Sequence, residues 1–392
     1  MLVARVILLP GKERRLLAGH LWVYEGEIKK VEGEVEPGGI VSVYSSRGKF
    51  LGRGYFNPHS QITVRLLTRE DEEINESFLR RRLEAALAFR QRVVKEASAY
   101  RLVNGEGDLL PGLVVDRYGD YLVVQVLTLG MEKLRPLLIP LLVELLSPRG
   151  IYERSDVSSR EKEGLPPATG LLYGEVPRRV TIREGELSFL VDIYEGQKTG
   201  FFLDQRENRQ ILSTLTAGMR VLDCFCYTGG FAVAAAKGEA EEVVAVDVSE
   251  QALELARENA VLNGVEEKIS WREANCFDEL RRLEKAGEKF DLVILDPPAF
   301  TKSKEALPSA MRGYKEINLR ALKLLRPGGL LFTCSCSYHL TEPLFWEVVL
   351  SAAQDARRTL RLVEFRRQAR DHAILPTVPE TYYLKCGIFQ VI

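Results

Sequence analysis

Two thiols and a carboxylate follow apolar segments late in the chain. Asp296 opens the run Asp-Pro-Pro-Ala-Phe, and Cys334 and Cys336 alternate with serines a little further on. A thiolate that adds to C6 of a pyrimidine ring turns C5 into an enamine carbon, which can attack a methyl sulfonium. A carboxyl group near N3 would stabilise the charge that this addition builds up. The residue types therefore indicate covalent catalysis, with one of the two thiols as nucleophile and Asp296 beside it.

The residues after Asp296 suit a flat ring that carries an amino group. Pro297 and Pro298 have no amide hydrogen, so carbonyl groups here stay available to accept hydrogen bonds from a substrate amino group. Phe300 is an aromatic side chain that can stack on such a ring. We expect these three residues to bind the substrate.

An earlier group of residues suits an adenosine-containing ligand. Asp223 is followed by a turn with Gly229 and Gly230, where the backbone can approach a ligand and a helix N-terminus offers donors. Asp247 follows 24 residues later and can accept hydrogen bonds from both ribose hydroxyls. Asn275 is placed to bind adenine, although a simple turn asparagine explains it nearly as well. The glycine fingerprint of dinucleotide-binding proteins is absent here, which disfavours a dehydrogenase.

The elements that position these residues alternate regularly from Met219 onward. Buried strands separated by amphipathic helices predict a parallel sheet covered on both faces, in which ligands bind at the carboxyl ends of the strands. Every residue named above lies at such an end. The predicted strands are Arg220–Asp223, Val243–Asp247, Leu292–Asp296 and Leu330–Cys334, and the predicted helices are 230–237, 250–263 and 313–325.

The sequence before residue 191 shows two other patterns of predicted secondary structure. Residues 1–72 contain short alternating segments, such as 40–44 and 61–67, cut by glycine and proline turns, which predicts a small β-barrel. Residues 73–190 mix helices over 78–97 and 131–146 with strands and a loop over 161–169, which predicts a compact α+β domain. The third domain is then 191–392, and the fold class is α/β.

Composition and charge exclude several classes of protein. The chain of 392 residues is 46% hydrophobic and 28% charged, which is typical of globular proteins, and its net charge of −1 does not indicate nucleic-acid binding. Residues 1–70 nevertheless carry 11 basic and 7 acidic side chains, which allows a phosphate-facing patch. Six cysteines without zinc-type spacing argue against a disulfide scaffold and against a metal site. No membrane span or signal peptide is recognisable, so we expect a cytoplasmic protein.

Five segments together resemble one known family over nearly the whole chain. They are Gly196–Arg206, Cys226–Phe231, Asp296–Phe300, Arg312–Asn318 and Ser335–Ser337. The resemblance is to the bacterial 23S ribosomal RNA 5-methylcytosine methyltransferases with an N-terminal PUA domain, of the large-subunit methyltransferase I type. It implies a Rossmann-like methyltransferase domain, a PUA barrel that contacts RNA, the cofactor S-adenosylmethionine (AdoMet) and a 23S RNA substrate, and it is compatible with a homodimer.

The resemblance also assigns roles to individual residues. It makes Cys336 the nucleophile and Cys334 a spectator, and it gives Asp296 a catalytic role that adjoins the cofactor. The residues that we expect to bind the cofactor are Lys198, Thr199, Arg206, Asp223, Phe225, Tyr227, Thr228, Gly229, Gly230, Asp247, Val248, Ser249, Asn275, Cys276 and Asp296.

Two other functions are compatible with parts of this pattern. Methylation of a base nitrogen in RNA would use the same cofactor site and the Asp-Pro-Pro segment but needs no thiol. A non-catalytic RNA-binding scaffold would need neither the cofactor site nor the thiol. The joint presence of Asp223, Asp247, Asp296 and Cys336 argues against a scaffold. The sequence leaves open which cytosine is modified, whether naked RNA or a ribosomal particle is bound, whether Cys334 can replace Cys336, and what His339 does.

Overall fold

The computed structural model describes residues 3–301 and 303–392, and backbone contacts divide the chain into two compact units. The first unit comprises the residues up to Ile182, Val191–Leu203 and Arg370–Thr381. The second comprises Arg183–Leu190, Asp204–Ala369 and Tyr382–Ile392. No helix in the described residues is long and apolar enough to cross a membrane.

A six-stranded sheet forms the N-terminal part of the first unit, within the described residues. Its elements are β1 (Ala4–Leu8), α1 (Arg14–Leu17), β2 (Trp22–Val23), β3 (Ile28–Glu32), β4 (Ile40–Tyr44), β5 (Phe50–Phe56) and β6 (Val64–Thr68). The strand order is β2-β6-β5-β4-β1-β3. Strand β4 has the predicted bounds, and its alternating apolar residues Val41 and Val43 are fully buried in the core of this sheet. Gly54 is required where β5 meets β6, because a Cβ there would overlap the backbone of Arg65.

A five-stranded sheet with two helices follows in the same unit. Its elements are α2 (Glu76–Val93), β7 (Ala99–Asn104), β8 (Leu113–Tyr118), β9 (Tyr121–Val126), α3 (Leu129–Leu146), β10 (Gly150–Ser155) and β11 (Ala168–Gly174). The side chain of Asn75 caps α2 by accepting a hydrogen bond from the Phe78 amide, and the helix ends four residues before the predicted end. The predicted loop over 161–169 is wrong in its last two residues, where the exposed edge strand β11 pairs with β10. The predicted domain boundaries at 72 and 190 stay predictions.

The second unit is built on a seven-stranded sheet with helices between its strands, as predicted. A two-stranded hairpin precedes this sheet in the chain and consists of β12 (Arg179–Glu184) and β13 (Leu187–Asp192). The elements that follow are α4 (Arg206–Ser213), β14 (Arg220–Cys224), α5 (Gly230–Lys237), β15 (Glu242–Asp247), α6 (Glu250–Leu262), β16 (Ile269–Glu273), α7 (Cys276–Lys285), β17 (Phe290–Leu295), α8 (Leu307–Leu324), β18 (Leu325–Ser335), α9 (Glu342–Asp355), β19 (Leu360–Arg366) and β20 (Lys385–Val391).

The strand order of this sheet is β16-β15-β14-β17-β18-β20-β19. Pairing is parallel from β16 to β18, whereas β20 runs antiparallel to both of its neighbours. Leu222, Val244, Val293 and Leu331 are fully buried, because helices cover both faces of a parallel sheet. The strand order reverses beside β14, and in doubly wound sheets this is the place where ligands bind.

Candidate active site

Neighbouring strands bring the predicted residues to one edge of the sheet in the second unit. Cys224 at the end of β14 is in register with Leu295 at the end of β17, and Leu295 is in register with Thr333 near the end of β18. Asp296 and Cys336 directly follow β17 and β18. The thiol, the carboxylate and the turn after β14 therefore lie at the same edge, as the sequence predicted.

The turn after β14 has a backbone conformation that is unusual for residues with side chains. Phe225 and Tyr227 have φ angles of 65° and 49°, and Gly229 has 78°. The Tyr227 amide donates to Oδ2 of Asp247 at 2.9 Å, and the Phe225 amide donates to Sγ of Cys276 at 3.2 Å. Left-handed conformations of this kind persist where the surroundings hold them, and they cluster at ligand sites.

Two residues that the sequence analysis did not single out hold this turn in place. Asn259 of α6 donates to the carbonyl of Thr228 at 3.0 Å and accepts a hydrogen bond from the Leu190 amide. A Cβ at Gly229 would lie only 2.8 Å from Cη2 of Trp271 in β16. Asn259 could have been found in the sequence as a polar residue on the otherwise apolar face of a predicted helix. No sequence pattern indicated the role of Trp271.

Asp247 is arranged to receive two more hydrogen bonds. Its Oδ2 accepts the Tyr227 amide, and its Oδ1 accepts the Ser249 amide at 3.0 Å. Each carboxylate oxygen has a second lone pair, which leaves one acceptor site per oxygen for a ribose hydroxyl. Ser249 also caps α6 through the Ala252 amide, and the side chain of Val248 is exposed.

Asp223 is a fully buried carboxylate that no basic side chain among the described residues neutralises. Neither of its oxygens has a partner at good hydrogen-bond geometry among the described residues, and the same holds for the buried hydroxyl of Thr228. Burial raises the pKa of Asp223 well above its usual value, the charges of Asp296 and Asp247 raise it further, and the Ala232 backbone amide opposes them weakly. Because an unpaired buried carboxylate is costly, the site is suited to a ligand that brings a cationic group.

Asn275 serves as a helix cap in the structure. Its side-chain oxygen accepts the Phe277 amide at 2.9 Å at the start of α7, and the residue is exposed. This cap agrees with the interpretation of Asn275 as a local structural residue, and a contact with adenine stays a prediction. Cys276 is buried, and its thiol donates to the Val246 carbonyl.

Four aromatic side chains cluster beside the turn. The ring of Phe300 lies 6.4 Å from Phe225, 5.7 Å from Phe277 and 4.5 Å from Tyr314, measured between centroids. The structure thus places Phe300 next to residues predicted for the cofactor, whereas its stacking on a substrate base stays a prediction. Burial raises the pKa of Tyr314 to about 12, so its hydroxyl is neutral at physiological pH.

A chain of side-chain hydrogen bonds orients Asp296. Nε of Arg366 donates to Oδ1 of Asn208, and Nδ2 of Asn208 donates to Oε1 of Gln205 at 2.6 Å. This leaves Nε2 of Gln205 to donate to Oδ1 of Asp296 at 2.9 Å. Gln205 stands in the segment that carries the family resemblance, but its spacing from Asp296 gave no signal of this contact.

Burial distinguishes the two thiols. Cys334 is fully buried inside β18 and in register with Cys386, and burial together with Cys386 raises its pKa well above the usual thiol value. Cys336 is half-buried one residue beyond the strand, and its thiol donates to the carbonyl of Pro297 at 3.9 Å. A raised pKa suppresses the thiolate form, so Cys336 is the better candidate nucleophile. Pro297 is buried and Pro298 is exposed.

Three predicted cofactor residues lie in or directly after the short segment that precedes α4. Thr199 lies in the first unit, where its hydroxyl donates to Oδ2 of Asp116 at 2.6 Å and also hydrogen-bonds the Tyr118 hydroxyl. Lys198 lies in the same unit, with Nζ 4.5 Å from the centroid of the Phe202 ring. Arg206 is buried at the start of α4 in the second unit. Their cofactor roles stay predictions. No group of three His, Cys, Asp or Glu residues suited to a metal ion is found in the described ranges.

Comparison with known proteins agrees with this fold. Residues 162–385 match a family model described as S-adenosylmethionine-dependent methyltransferase, and residues 6–69 match one described as a PUA-like domain. The chain is therefore an AdoMet-dependent methyltransferase that carries a PUA-like domain, and the predicted α/β fold class is confirmed. A solved structure described as a proposed methyltransferase complexed with SAH has the same fold, with a TM-score of 0.87 at 22% identity over 100% of both chains.

Curated relatives narrow the family. "Ribosomal RNA large subunit methyltransferase I" of Tolumonas auensis is 48% identical over 99% of each chain. The protein of the same name from Erwinia tasmaniensis is 44% identical over 100% of each chain. The chain belongs to the family of ribosomal RNA large subunit methyltransferase I, which confirms the resemblance.

The residues at the sheet edge fit the cofactor. AdoMet carries an ammonium group and a sulfonium, and the uncompensated carboxylate of Asp223 offers a buried counter-charge for a cation. Asp247 keeps acceptor sites for the ribose hydroxyls. We therefore expect these two residues to hold the cofactor, with the turn from Phe225 to Gly229 between them.

Proposed function

We propose that the protein methylates C5 of a cytosine in 23S ribosomal RNA, with Cys336 as a covalent nucleophile. One observation carries the proposal. Among the six cysteines, Cys336 is half-buried and the other five are buried, and it lies at the edge of the sheet that also presents Asp296. The ribosomal RNA substrate is taken from the names of the curated relatives.

The thiolate of Cys336 adds to C6 of the cytosine, so that an S–C6 bond forms and the C5–C6 π electrons become available at C5. The protonated carboxyl group of Asp296 donates a hydrogen bond to N3 and gives up its proton there as the addition builds up negative charge on the ring. Bound AdoMet supplies the methyl group as an electrophilic sulfonium. When C5 gains the methyl group, the bond between that methyl and the cofactor sulfur breaks and its electron pair stays on that sulfur. The C5 proton then passes to water, the electron pair of the C5–H bond re-forms the double bond, and the S–C6 bond breaks with its electron pair returning to the thiolate of Cys336.

The hydrogen bond from Gln205 supports the role of Asp296. A carboxylate that accepts a bond from a fixed amide is held in one orientation, and orientation contributes strongly to catalysis. The buried and unpaired Asp223 raises the energetic cost of further negative charge at this edge. A proton on Asp296 relieves that cost, and it supplies the donor that N3 of the base requires.

The N-terminal sheet supports an RNA substrate. It matches a PUA-like domain, and residues 1–70 carry 11 basic and 7 acidic side chains. Exposed basic side chains bind phosphate backbones without base specificity, so we expect this domain to contribute affinity and not the choice of nucleotide. The specificity for 23S RNA, the homodimer and the cytoplasmic location remain predictions.

The test is nucleoside mass spectrometry of unmodified 23S RNA incubated with the protein and methyl-labelled AdoMet. We expect label in 5-methylcytidine with wild type and none with Cys336→Ala. Cys334→Ala is the matched control, because it removes a thiol two residues away that is fully buried. We expect it to retain turnover.

Methylation of a base nitrogen is the outcome that would replace this proposal. Label in an N-methylated nucleoside, with Cys336→Ala as active as wild type, would show that the Asp-Pro-Pro segment acts without a thiol. Absence of AdoMet binding in calorimetry would instead favour a scaffold.

A further inference from the structure

Lys385 is a buried lysine to which the proposed mechanism assigns no role. It is the first residue of β20, its relative exposure is 1%, and it is in register with Ser335 of β18. Its Nζ donates to the carbonyl of Ser337 at 2.7 Å and to the carbonyl of Tyr383 at 2.8 Å. A buried ammonium group is costly, so a lysine kept in such a place is commonly one whose charge is used.

The contact with Ser337 brings this ammonium group to the segment that carries the candidate nucleophile. Ser337 directly follows Cys336, and the backbone of Ser335 pairs with Lys385 itself. The charged groups that act on Lys385 are Cys336 and Glu342. The Tyr314 hydroxyl, which hydrogen-bonds Ser337 at 2.9 Å, is neutral at physiological pH.

We propose that Lys385 is a positioning residue that stabilises the thiolate form of Cys336 by placing a positive charge beside it. This inference rests on the proposed function, in which Cys336 is the nucleophile. When the thiol ionises, the S–H bond breaks, the electron pair stays on sulfur and the proton passes to water. The ammonium group lowers the free energy of the resulting anion, as cations do beside reactive cysteines.

The mutual influence of the two groups agrees with this role. Burial lowers the pKa of Lys385 to about 8, and the negative charges of Cys336 and Glu342 oppose that fall. Since an electrostatic interaction is reciprocal, the lysine charge favours the thiolate as much as the thiolate favours the charge. Lys385 is protonated below its pKa, so it acts at neutral pH, where an ordinary thiol with a pKa of about 8.5 is mostly protonated.

The test measures the rate at which iodoacetamide alkylates Cys336 as a function of pH, with peptide mass spectrometry to assign the site. The other five cysteines are buried, so the fast reaction reports on Cys336. In Lys385→Met we expect the midpoint of the alkylation profile to rise by about one pH unit, which is the lower end of shifts caused by a nearby opposite charge. The rate at pH 7 then falls roughly tenfold, because it follows the thiolate fraction.

Two further variants separate charge from packing. Lys385→Gln retains an N–H donor without the charge, and we expect the same upward shift; it also serves if Lys385→Met fails to fold. Tyr314→Phe removes the neighbouring hydrogen bond to Ser337 and changes no charge, and we expect the wild-type midpoint. Circular dichroism and AdoMet binding show which variants are folded.

The proposal is overturned if folded Lys385 variants keep the wild-type midpoint, or if Tyr314→Phe shifts it as far as they do. Alkylation requires no RNA and no methyl transfer. If Cys336→Ala still forms 5-methylcytidine, the proposed function fails, but the alkylation profile still decides whether Lys385 stabilises the thiolate.

Discussion

Nε2 of Gln205 donates a hydrogen bond to Oδ1 of Asp296 at 2.9 Å, and Asn208 fixes the orientation of the Gln205 amide by donating to its oxygen. The NH2 group of the Gln205 side chain therefore faces the carboxylate, and its carbonyl oxygen faces Asn208. This contact holds the proposed catalytic carboxylate at the end of β17.

Replacing Gln205 should impair chemistry more than cofactor binding. In Gln205→Leu, Asp296 loses an oriented donor, and we expect the rate of methyl transfer at saturating substrate to fall by up to about a hundredfold, the low end of effects on acid–base groups. The dissociation constant for AdoMet, measured by calorimetry, should change little. Gln210→Ala in α4, the helix that Gln205 precedes, is the control and should leave the rate unchanged. A large loss of AdoMet affinity in Gln205→Leu would contradict this assignment.

Asp223→Asn should separate stability from cofactor binding. The raised pKa of Asp223 means that its ionised form destabilises the protein without ligand. Asparagine removes that charge, so we expect an equal or higher melting temperature at pH 7 without AdoMet. Loss of a charged hydrogen bond should weaken AdoMet binding roughly tenfold to a hundredfold, since such bonds contribute about 1.5–3 kcal/mol. Unchanged affinity would show that Asp223 does not face the cofactor.

The same carboxylate predicts a pH dependence. A carboxyl group whose pKa is raised by folding is protonated more readily in the folded state, so stability falls as pH rises above about 3.9, the usual aspartate pKa, until the raised value is passed. We expect the melting temperature to fall less steeply with rising pH in Asp223→Asn than in wild type. Both proteins are measured by thermal unfolding without ligand across the acidic pH range. If the melting temperatures of the two proteins change with pH in parallel, the raised pKa of Asp223 is contradicted.

Gly229 offers a prediction with a closely matched control. Gly229 and Gly218 have φ angles of 78° and 70°, so alanine costs about 1–2 kcal/mol of backbone strain at either position. Only at Gly229 does a Cβ approach Trp271; nothing in the described structure lies within 4 Å of one at Gly218. Gly229→Ala should therefore be less stable than Gly218→Ala by about 1–3 kcal/mol in chemical unfolding, and it should bind AdoMet more weakly. Equal losses would show that the turn adapts.

Sequence reasoning predicted the parts of the site that depend on local pattern. Apolar strands that end in Asp247 and Asp296 are visible in the sequence because buried parallel strands are apolar along their length. The same patterns did not reveal Gln205, Asn259 or Lys385, because each acts on a residue far away in the sequence. Strands β19 and β20 were not predicted either.

The choice between Cys334 and Cys336 shows the same limit. Their spacing of two residues allowed both side chains to share a face, and only the family resemblance favoured Cys336. The structure adds a physical difference, since Cys334 is buried within the sheet and Cys336 lies beyond the strand end. Burial of this kind depends on β20, which pairs with β18 and which the sequence analysis did not place.

The most direct measurement of the central claim is a covalent trapping experiment with RNA that contains 5-fluorocytidine. Fluorine at C5 cannot leave as a proton does, so the S–C6 bond cannot break after methyl transfer. With AdoMet present, we predict a denaturation-resistant adduct between protein and RNA that maps to Cys336, forms with Cys334→Ala and does not form with Cys336→Ala. The unsubstituted RNA serves as a control that the enzyme methylates this cytosine. If the substituted RNA then forms no adduct, or forms one at another residue, the assignment of Cys336 as the nucleophile is contradicted.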